Sequence, residues 1–192
     1  MTSLDALRRF NTEAPEAPGE TLAFQMPERV PWVMSFDQSL LHTGMVVLHG
    51  RGTVEATTLR PPPGMGKVTN ILDAYAMEDW LERTISNRVA EMMSVWGRGV
   101  VLLERPPDKK MMRTESSILA GLAVVRSARK MSVPFQVIAR QTAYARVYGH
   151  GNAKKKDAHD WLDKRMPPEW GVTNEHERDA LMIALAHLKG ER

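Results

Sequence analysis

The chain has 192 residues, enough for one domain with a sizeable core. It contains no cysteine, which excludes a disulfide scaffold, a thiolate metal site and a cysteine nucleophile, and fits a reducing, cytoplasmic setting. There is no run of 18 apolar residues and no apolar leader at the N-terminus, so neither a membrane span nor a signal peptide is expected.

The first half of the chain predicts a polar arm followed by a sheet. Residues 1–29 are polar and contain three prolines, which indicates a flexible arm ahead of a single domain at residues 30–192. Three short strands with tight connections come next, an antiparallel meander at residues 30–36, 45–50 and 53–59. A loop rich in proline and glycine then separates the strands from a helix.

The second half alternates helices with strands. Apolar residues recur every three or four positions in residues 70–96, which predicts a long amphipathic helix. The remaining predicted elements are strands at 99–105 and 134–140, a helix at 115–131, a basic loop and helix at 143–165 and a last helix at 174–189. This order predicts an α/β fold with a five-stranded mixed sheet and helices on its faces.

Charge is unevenly distributed along the chain. Residues 126–165 contain ten Lys or Arg and only three Asp, although the whole chain has a formal net charge of only +3. Such a segment indicates either a face that binds a polyanion or an ordinary solvated helix surface.

Three acids lie at comparable points of the predicted fold. Asp37 ends the first strand, Glu104 ends the fourth, and Asp179 lies in the first turns of the last helix. If the two strands are parallel neighbours, their carboxylates lie side by side, and a divalent metal would relieve the repulsion between them. His176 precedes Asp179 by three residues and therefore shares its helix face.

Each of these residues also has a purely structural interpretation. Asp37 could cap a turn, Glu104 could pair with Arg105, and His176 and Asp179 could be ordinary polar residues of a first helical turn. Together, however, they indicate a site for two Mg²⁺ or Mn²⁺ ions of the kind that drives in-line phosphoryl displacement.

Four segments resemble the RuvC-type Holliday junction resolvases, which have a ribonuclease H-like fold. The segments are SFDQSLLHTGMVVL, VVLLE, VIARQTAYARVYGHGNAKKKDAHDWL and HERDALMIALAHL. They occur in the family's order and span about residues 31–188, nearly all of the chain after the arm. The chain is similar to compact bacteriophage versions of the family.

The resemblance implies a Mg²⁺-dependent endonuclease that cleaves branched DNA, usually as a homodimer. It implies that two ions are held by Asp37, Glu104, His176 and Asp179, one activating water and the other stabilising the leaving 3′-oxygen. Lys155 is implied as the basic residue near the scissile phosphate, with Lys154 and Lys156 as adjacent alternatives. The implied DNA-binding residues are Arg105, Lys109, Lys110, Arg113, Arg140, Arg146, Lys154, Lys155 and Lys156.

The chain departs from the family at two loops. Gln38 to His42 lack the family's usual Pro-Gly after the first acid, and a strongly basic loop follows Glu104. In the family this second region approaches the junction centre, so the departure bears on junction specificity.

Other functions share some of these features. A ribonuclease H-like nuclease acting on RNA, flaps or forks would have the same acids, and a non-catalytic branched-DNA-binding scaffold would keep the fold. An actin-like phosphotransferase also opens with an Asp in a strand, but it needs a second domain and Gly-rich nucleotide loops. The sequence has neither, and no nucleotide cofactor is expected.

Overall fold

The protein is described from a computed structural model that covers residues 21–50, 52–65, 70–105 and 111–190. The strands are β1 (Trp32–Asp37), β2 (Thr43–His49), β3 (Thr53–Leu59), β4 (Val100–Glu104) and β5 (Phe135–Ile138). The helices are α1 (Ile71–Trp96), α2 (Met111–Lys130), α3 (Arg140–Val147), α4 (Lys155–Asp163) and α5 (Glu175–Gly190), with a 3-10 turn at Pro168–Trp170.

The five strands form one mixed sheet in the order β3-β2-β1-β4-β5. The first three strands pair antiparallel, whereas β4 is parallel to both β1 and β5. The predicted meander and the predicted α/β class are therefore confirmed.

Each face of the sheet has its own apolar core. Trp32, Met34 and Phe36 of β1 point to the face covered by α1 and α2. Val33, between them, belongs to the core on the other face with α3, α4 and α5. This follows from the two-residue period of a strand, and the predicted helices lie on both faces.

Some predicted boundaries were wrong. The predicted loop and helix at 143–165 is instead two helices, α3 and α4, joined by a turn in which Gly149 has a φ of 91°. Helix α2 begins at Met111, ahead of the predicted residue 115, whereas Asn70 caps α1 where the sequence predicts its start.

Packing also begins ahead of the predicted domain boundary at residue 30. Leu22 and Met26 are buried in the core that contains Val33. The backbone N–H of Leu22 donates to the carbonyl of Arg165 at 2.7 Å, and the Phe24 ring lies against Trp170. Residues 1–20 of the predicted arm lie outside the described residues. Across the described ranges, no helix is long and apolar enough to cross a membrane.

Candidate functional site

Three carboxylates meet at one edge of the sheet. In the parallel pair, Phe36 lies opposite Leu103, so the next residues, Asp37 and Glu104, lie side by side at the ends of their strands. Helix α5 crosses β1 and β2 and brings Asp179 to the same place. One oxygen from each carboxylate lies within 4.8 Å of the other two. The acids at the two strand ends and in the last helix therefore form one cluster.

The start of α5 lies directly on the β1–β2 hairpin. Gly44 is paired with Asp37 in the sheet, and a Cβ at Gly44 would overlap the backbone carbonyl of His176. The hydroxyl of Ser35 donates to the carbonyl of Ala180 at 2.7 Å, which joins the helix to β1. The absent side chain at Gly44 thus lets the helix approach close enough to place its polar residues beside Asp37.

Glu104 is buried and paired with one cation. Nε of Arg140 lies 3.0 Å from Oε1 of Glu104, and Nη2 lies 3.3 Å from Oε2. Burial raises the pKa of Glu104 to about 7; Arg140 opposes this rise, while Asp37 and Asp179 add to it. Near neutral pH, the carboxyl group of Glu104 is therefore ionised in part of the molecules and protonated in the rest.

Asp179 is almost completely buried and is surrounded by donors. Its Oδ2 lies 2.7 Å from Nζ of Lys155, and its Oδ1 lies 2.8 Å from Nε2 of His159 and 3.3 Å from the hydroxyl of Tyr144. Burial would raise the pKa of Asp179, but the hydrogen bonds from His159 and Lys155 outweigh it and keep that pKa below its usual value. Asp179 is therefore ionised at neutral pH.

His176 contacts Asp37. Its Nδ1 lies 2.7 Å from Oδ2 of Asp37, and this hydrogen bond raises the pKa of His176. The ring also stacks on His42 of the hairpin, with 6.1 Å between ring centroids. The predicted fourth ligand is therefore hydrogen-bonded to Asp37, whereas the group of described residues whose ligand atoms lie within 4.8 Å of one another contains Asp37, Glu104 and Asp179 without His176.

Comparisons with solved structures identify the fold. RuvC from Thermus thermophilus aligns with a TM-score of 0.63 and 19% identity, over 84% of this chain and 95% of that one. T. thermophilus RuvC in complex with Holliday junction substrate gives 0.64 and 19% identity, over 84% and 94%. The chain has the fold of RuvC.

Other comparisons extend or limit this result. The yeast mitochondrial Holliday junction resolvase aligns with a TM-score of 0.52 and 11% identity, over 98% of this chain and 87% of that one. No family model and no curated protein matches the sequence. The predicted likeness to the RuvC-type fold is confirmed, whereas a bacteriophage origin stays a prediction.

The RuvC-like fold separates the three candidate lysines. Lys154 and Lys156 are exposed, whereas Lys155 points to Asp179 and also lies 3.3 Å from Oε2 of Glu175. Of the three, Lys155 alone forms an ion pair with the acidic cluster in the described part of the chain. This contact favours Lys155, and the role of a lysine near the scissile phosphate stays a prediction.

The other predicted DNA-binding residues have different surroundings. Arg140 lies inside the acidic cluster and Arg146 donates to the carbonyl of Ala186 at 3.3 Å, whereas Arg105 is exposed just beyond β4. Lys109, Lys110 and the side chain of Arg113 lie outside the described part of the chain.

Sequence reasoning did not identify three polar residues around the cluster. Tyr144 follows Arg140 by four residues and His159 follows Lys155 by four, so each shares a helix face with a residue that was identified. That spacing was the available indication. Gln38 is buried after Asp37, and its amide donates to the backbone carbonyl of Glu104, a contact that only the β1–β4 pairing brings about.

The donor set of this site fits divalent metal ions. Three carboxylates in a small volume supply hard oxygen ligands, which Mg²⁺ and Mn²⁺ prefer. The pKa of Glu104 is raised because its charged form is buried near two other carboxylates, and Arg140 offsets only part of the resulting free-energy cost. A divalent cation between the carboxylates would remove that cost.

Proposed function

We propose that this protein is a metal-dependent endonuclease that hydrolyses phosphodiester bonds in branched DNA, and four-way junctions in particular. The observation that carries the proposal is the meeting of Asp37, Glu104 and Asp179 within 4.8 Å at one sheet edge. The RuvC fold supports it, because the T. thermophilus protein has been solved with a Holliday junction substrate.

In this proposal Asp37, Glu104 and Asp179 hold two divalent ions, and His176 completes the ligand set beside Asp37. When bound, the ions supply Lewis acidity for activating water and for stabilising the leaving 3′-oxygen. The protein contributes a rigid arrangement, since two ligands follow central strands and the third lies on a helix packed across them.

Lys155 has a second task in the same proposal. Its ammonium group offsets the charge of Asp179 at 2.7 Å, and Glu175 holds it from the other side at 3.3 Å. With a metal ion held by Asp179, the ammonium group would be available to stabilise negative charge building up on the phosphate.

The DNA is proposed to lie across the basic residues around this edge. Lys154 and Lys156 are exposed beside Lys155, and Arg105 is exposed after Glu104. Together with Lys109, Lys110 and Arg113 they would contact backbone phosphates, which positions the duplex arms without reading their sequence. A homodimer is part of the proposal, because a two-fold axis would place two sites on opposite strands of a four-way junction.

The test is cleavage of a synthetic four-way junction in Mg²⁺. Asp37→Asn and Asp179→Asn each remove a carboxylate ligand while keeping the side-chain size, so we expect cleavage to fall by at least about 100-fold. Asp79→Asn is the matched control, since Asp79 is an exposed acid on α1 that pairs with Arg83. Cleavage that survives both site substitutions would contradict the proposed ligands.

A substrate panel tests the choice of nucleic acid. Four-way, forked, flapped and linear DNA and an RNA–DNA hybrid are compared at equal concentration. We expect the four-way junction to be cut fastest. Faster cleavage of the hybrid or the flap would indicate that the same site serves a ribonuclease H-like nuclease acting on RNA or flaps. Binding without any cleavage would favour the non-catalytic scaffold.

A further inference from the structure

Two donors beneath Asp179 have no role in the function proposed so far. His159 in α4 and Tyr144 in α3 are buried in the core that packs α5 against the sheet. Both reach the same oxygen of Asp179, Oδ1, at 2.8 Å and 3.3 Å. Two polar side chains from separate helices thus converge on one atom of one candidate ligand.

The two oxygens of Asp179 face different surroundings. The Oδ1 atom meets the imidazole and the phenol, whereas Oδ2 meets the cations, with Lys155 at 2.7 Å and Nη2 of Arg140 at 3.9 Å. The same Nη2 atom lies 3.3 Å from Glu104, so Oδ2 faces the rest of the acidic cluster. One oxygen is therefore occupied on the protein side and the other faces the place for a metal.

Fixing a ligand matters in this geometry. A carboxylate without a partner behind it can rotate about its Cβ–Cγ bond and move either oxygen out of position. Hydrogen bonds that hold metal ligands typically account for 10-fold to 100-fold in metal affinity or activity. His159 and Tyr144 supply such bonds from helices that are themselves held in the core.

We propose that His159, assisted by Tyr144, is a positioning residue that holds Asp179 through Oδ1 so that Oδ2 faces the metal site. The inference rests on the proposed function. In this arrangement the Nε2 hydrogen of His159 donates to the carboxylate. The role of His159 therefore differs from that of Lys155, which contacts the other oxygen of Asp179 and carries a positive charge.

Metal binding to the DNA-free protein tests this role. Calorimetry with Mn²⁺ is compared for the wild type, His159→Leu and His159→Gln. Leucine fills the space without donating a hydrogen bond, so we expect the dissociation constant for Mn²⁺ to rise 10-fold to 100-fold. The glutamine amide restores the donor, so we expect its dissociation constant to lie within about threefold of the wild-type value.

Two further variants separate positioning from folding. Tyr144→Phe removes only the weaker donor and should weaken Mn²⁺ binding about threefold, with little change in thermal stability. His187→Leu is the control, since His187 is also buried in α5 but hydrogen-bonds Gln136. It should lower the thermal midpoint and leave the dissociation constant unchanged.

The outcomes are distinguishable. Wild-type affinity in His159→Leu, or equal losses in the leucine and glutamine variants, would overturn the positioning role while leaving the metal site in place. A wild-type protein that gives neither heat nor thermal stabilisation with Mn²⁺ would overturn the proposed function, and the positioning role with it. If His159→Leu does not fold, an unchanged dissociation constant in Tyr144→Phe still overturns the proposal that His159 and Tyr144 together position Asp179.

Discussion

At the scale of single residues, the acidic cluster is balanced by cations of the protein itself. Lys155 lies 2.7 Å from Asp179, and Arg140 pairs with Glu104. In the proposed site, a metal ion and the ammonium group of Lys155 would therefore compete for the same carboxylate. This competition would separate metal affinity from activity, because removing the ammonium group would help the first and harm the second.

We predict that Lys155→Met binds Mn²⁺ more tightly and cleaves junctions more slowly. Loss of one positive charge beside a divalent site should lower the dissociation constant by roughly tenfold, the scale of a partly exposed charge interaction of about 1.4 kcal/mol. Cleavage should fall on the order of 100-fold if the ammonium group stabilises the phosphate. Lys156→Met, an exposed neighbour, is the control in calorimetry and cleavage assays. Weaker Mn²⁺ binding in Lys155→Met would contradict the competition.

The buried carboxyl of Glu104 predicts a dependence of stability on pH. Its pKa in the folded protein is raised from 4.5 to about 7, mainly by burial. Because folding favours the protonated form, the stabilisation from this group is complete below about pH 4.5 and is lost as pH rises through 7. Bound Mg²⁺ would compensate for that loss by pairing with the ionised form.

We therefore expect Mg²⁺ to raise the thermal midpoint more at pH 8 than at pH 6. Glu104→Gln cannot ionise, so the metal-free variant should lose less stability than the wild type between these two values. Thermal unfolding of both proteins, with and without saturating Mg²⁺, measures the difference. An equal effect of Mg²⁺ at the two pH values would be inconsistent with this role of Glu104.

At the scale of elements, one glycine controls how the last helix meets the sheet. A Cβ at Gly44 would overlap the backbone of His176, and the neighbouring strand residue is Asp37. Gly121 in α2 offers a contrast, because a Cβ there would make ordinary contacts of 3.7 Å and 3.9 Å with Leu103 and Gln38. The same substitution should therefore have opposite effects at the two positions.

We predict that Gly44→Ala destabilises the protein by about 2–4 kcal/mol, since backbone must shift where overpacking cannot relax. It should also weaken Mn²⁺ binding, because α5 carries both His176 and Asp179. Gly121→Ala should stabilise the protein by about 0.5–1 kcal/mol, the usual gain in a helix interior. Denaturant titrations and calorimetry on the two variants check both signs. If Gly44→Ala changed neither the free energy of unfolding nor Mn²⁺ binding, the start of α5 could shift without cost and the prediction would be wrong.

The elements also show what could be predicted from the sequence. Asp37, Glu104 and Asp179 were identifiable because strand ends and helix starts can be recognised from hydrophobic runs, and the β1–β4 pairing then brings two of them together. Lys155 was named from the family resemblance with Lys154 and Lys156 as alternatives, because three consecutive lysines do not show in the sequence which of them faces the cluster. The turn at Gly149, which divides α3 from α4, was missed although Gly149 and Gly151 gave an indication of a break in the sequence.

At the scale of the whole molecule, the acidic and the exposed basic residues occupy different environments. The acidic cluster is largely buried at one sheet edge, whereas Lys154 and Lys156 are exposed on either side of Lys155, and Arg105 is exposed after Glu104. In the proposed function, metal ions would neutralise the cluster and the exposed cations would contact the DNA backbone. Binding and cleavage should therefore respond to different changes in the medium.

We predict that junction affinity depends steeply on salt and that the exposed lysines account for part of that dependence. Each phosphate contact contributes about 0.9 to the slope of log affinity against log salt on duplex DNA. Replacing Lys154 and Lys156 with alanine should reduce the slope by up to about 1.8 if each contacts one phosphate. Gel shifts in the Asp37→Asn background, which blocks the proposed cleavage, measure the slope. Arg83→Ala is the control, since Arg83 is an exposed base on α1 that pairs with Asp79. An unchanged slope in the double lysine variant, or an equal loss in Arg83→Ala, would place the DNA elsewhere on the protein.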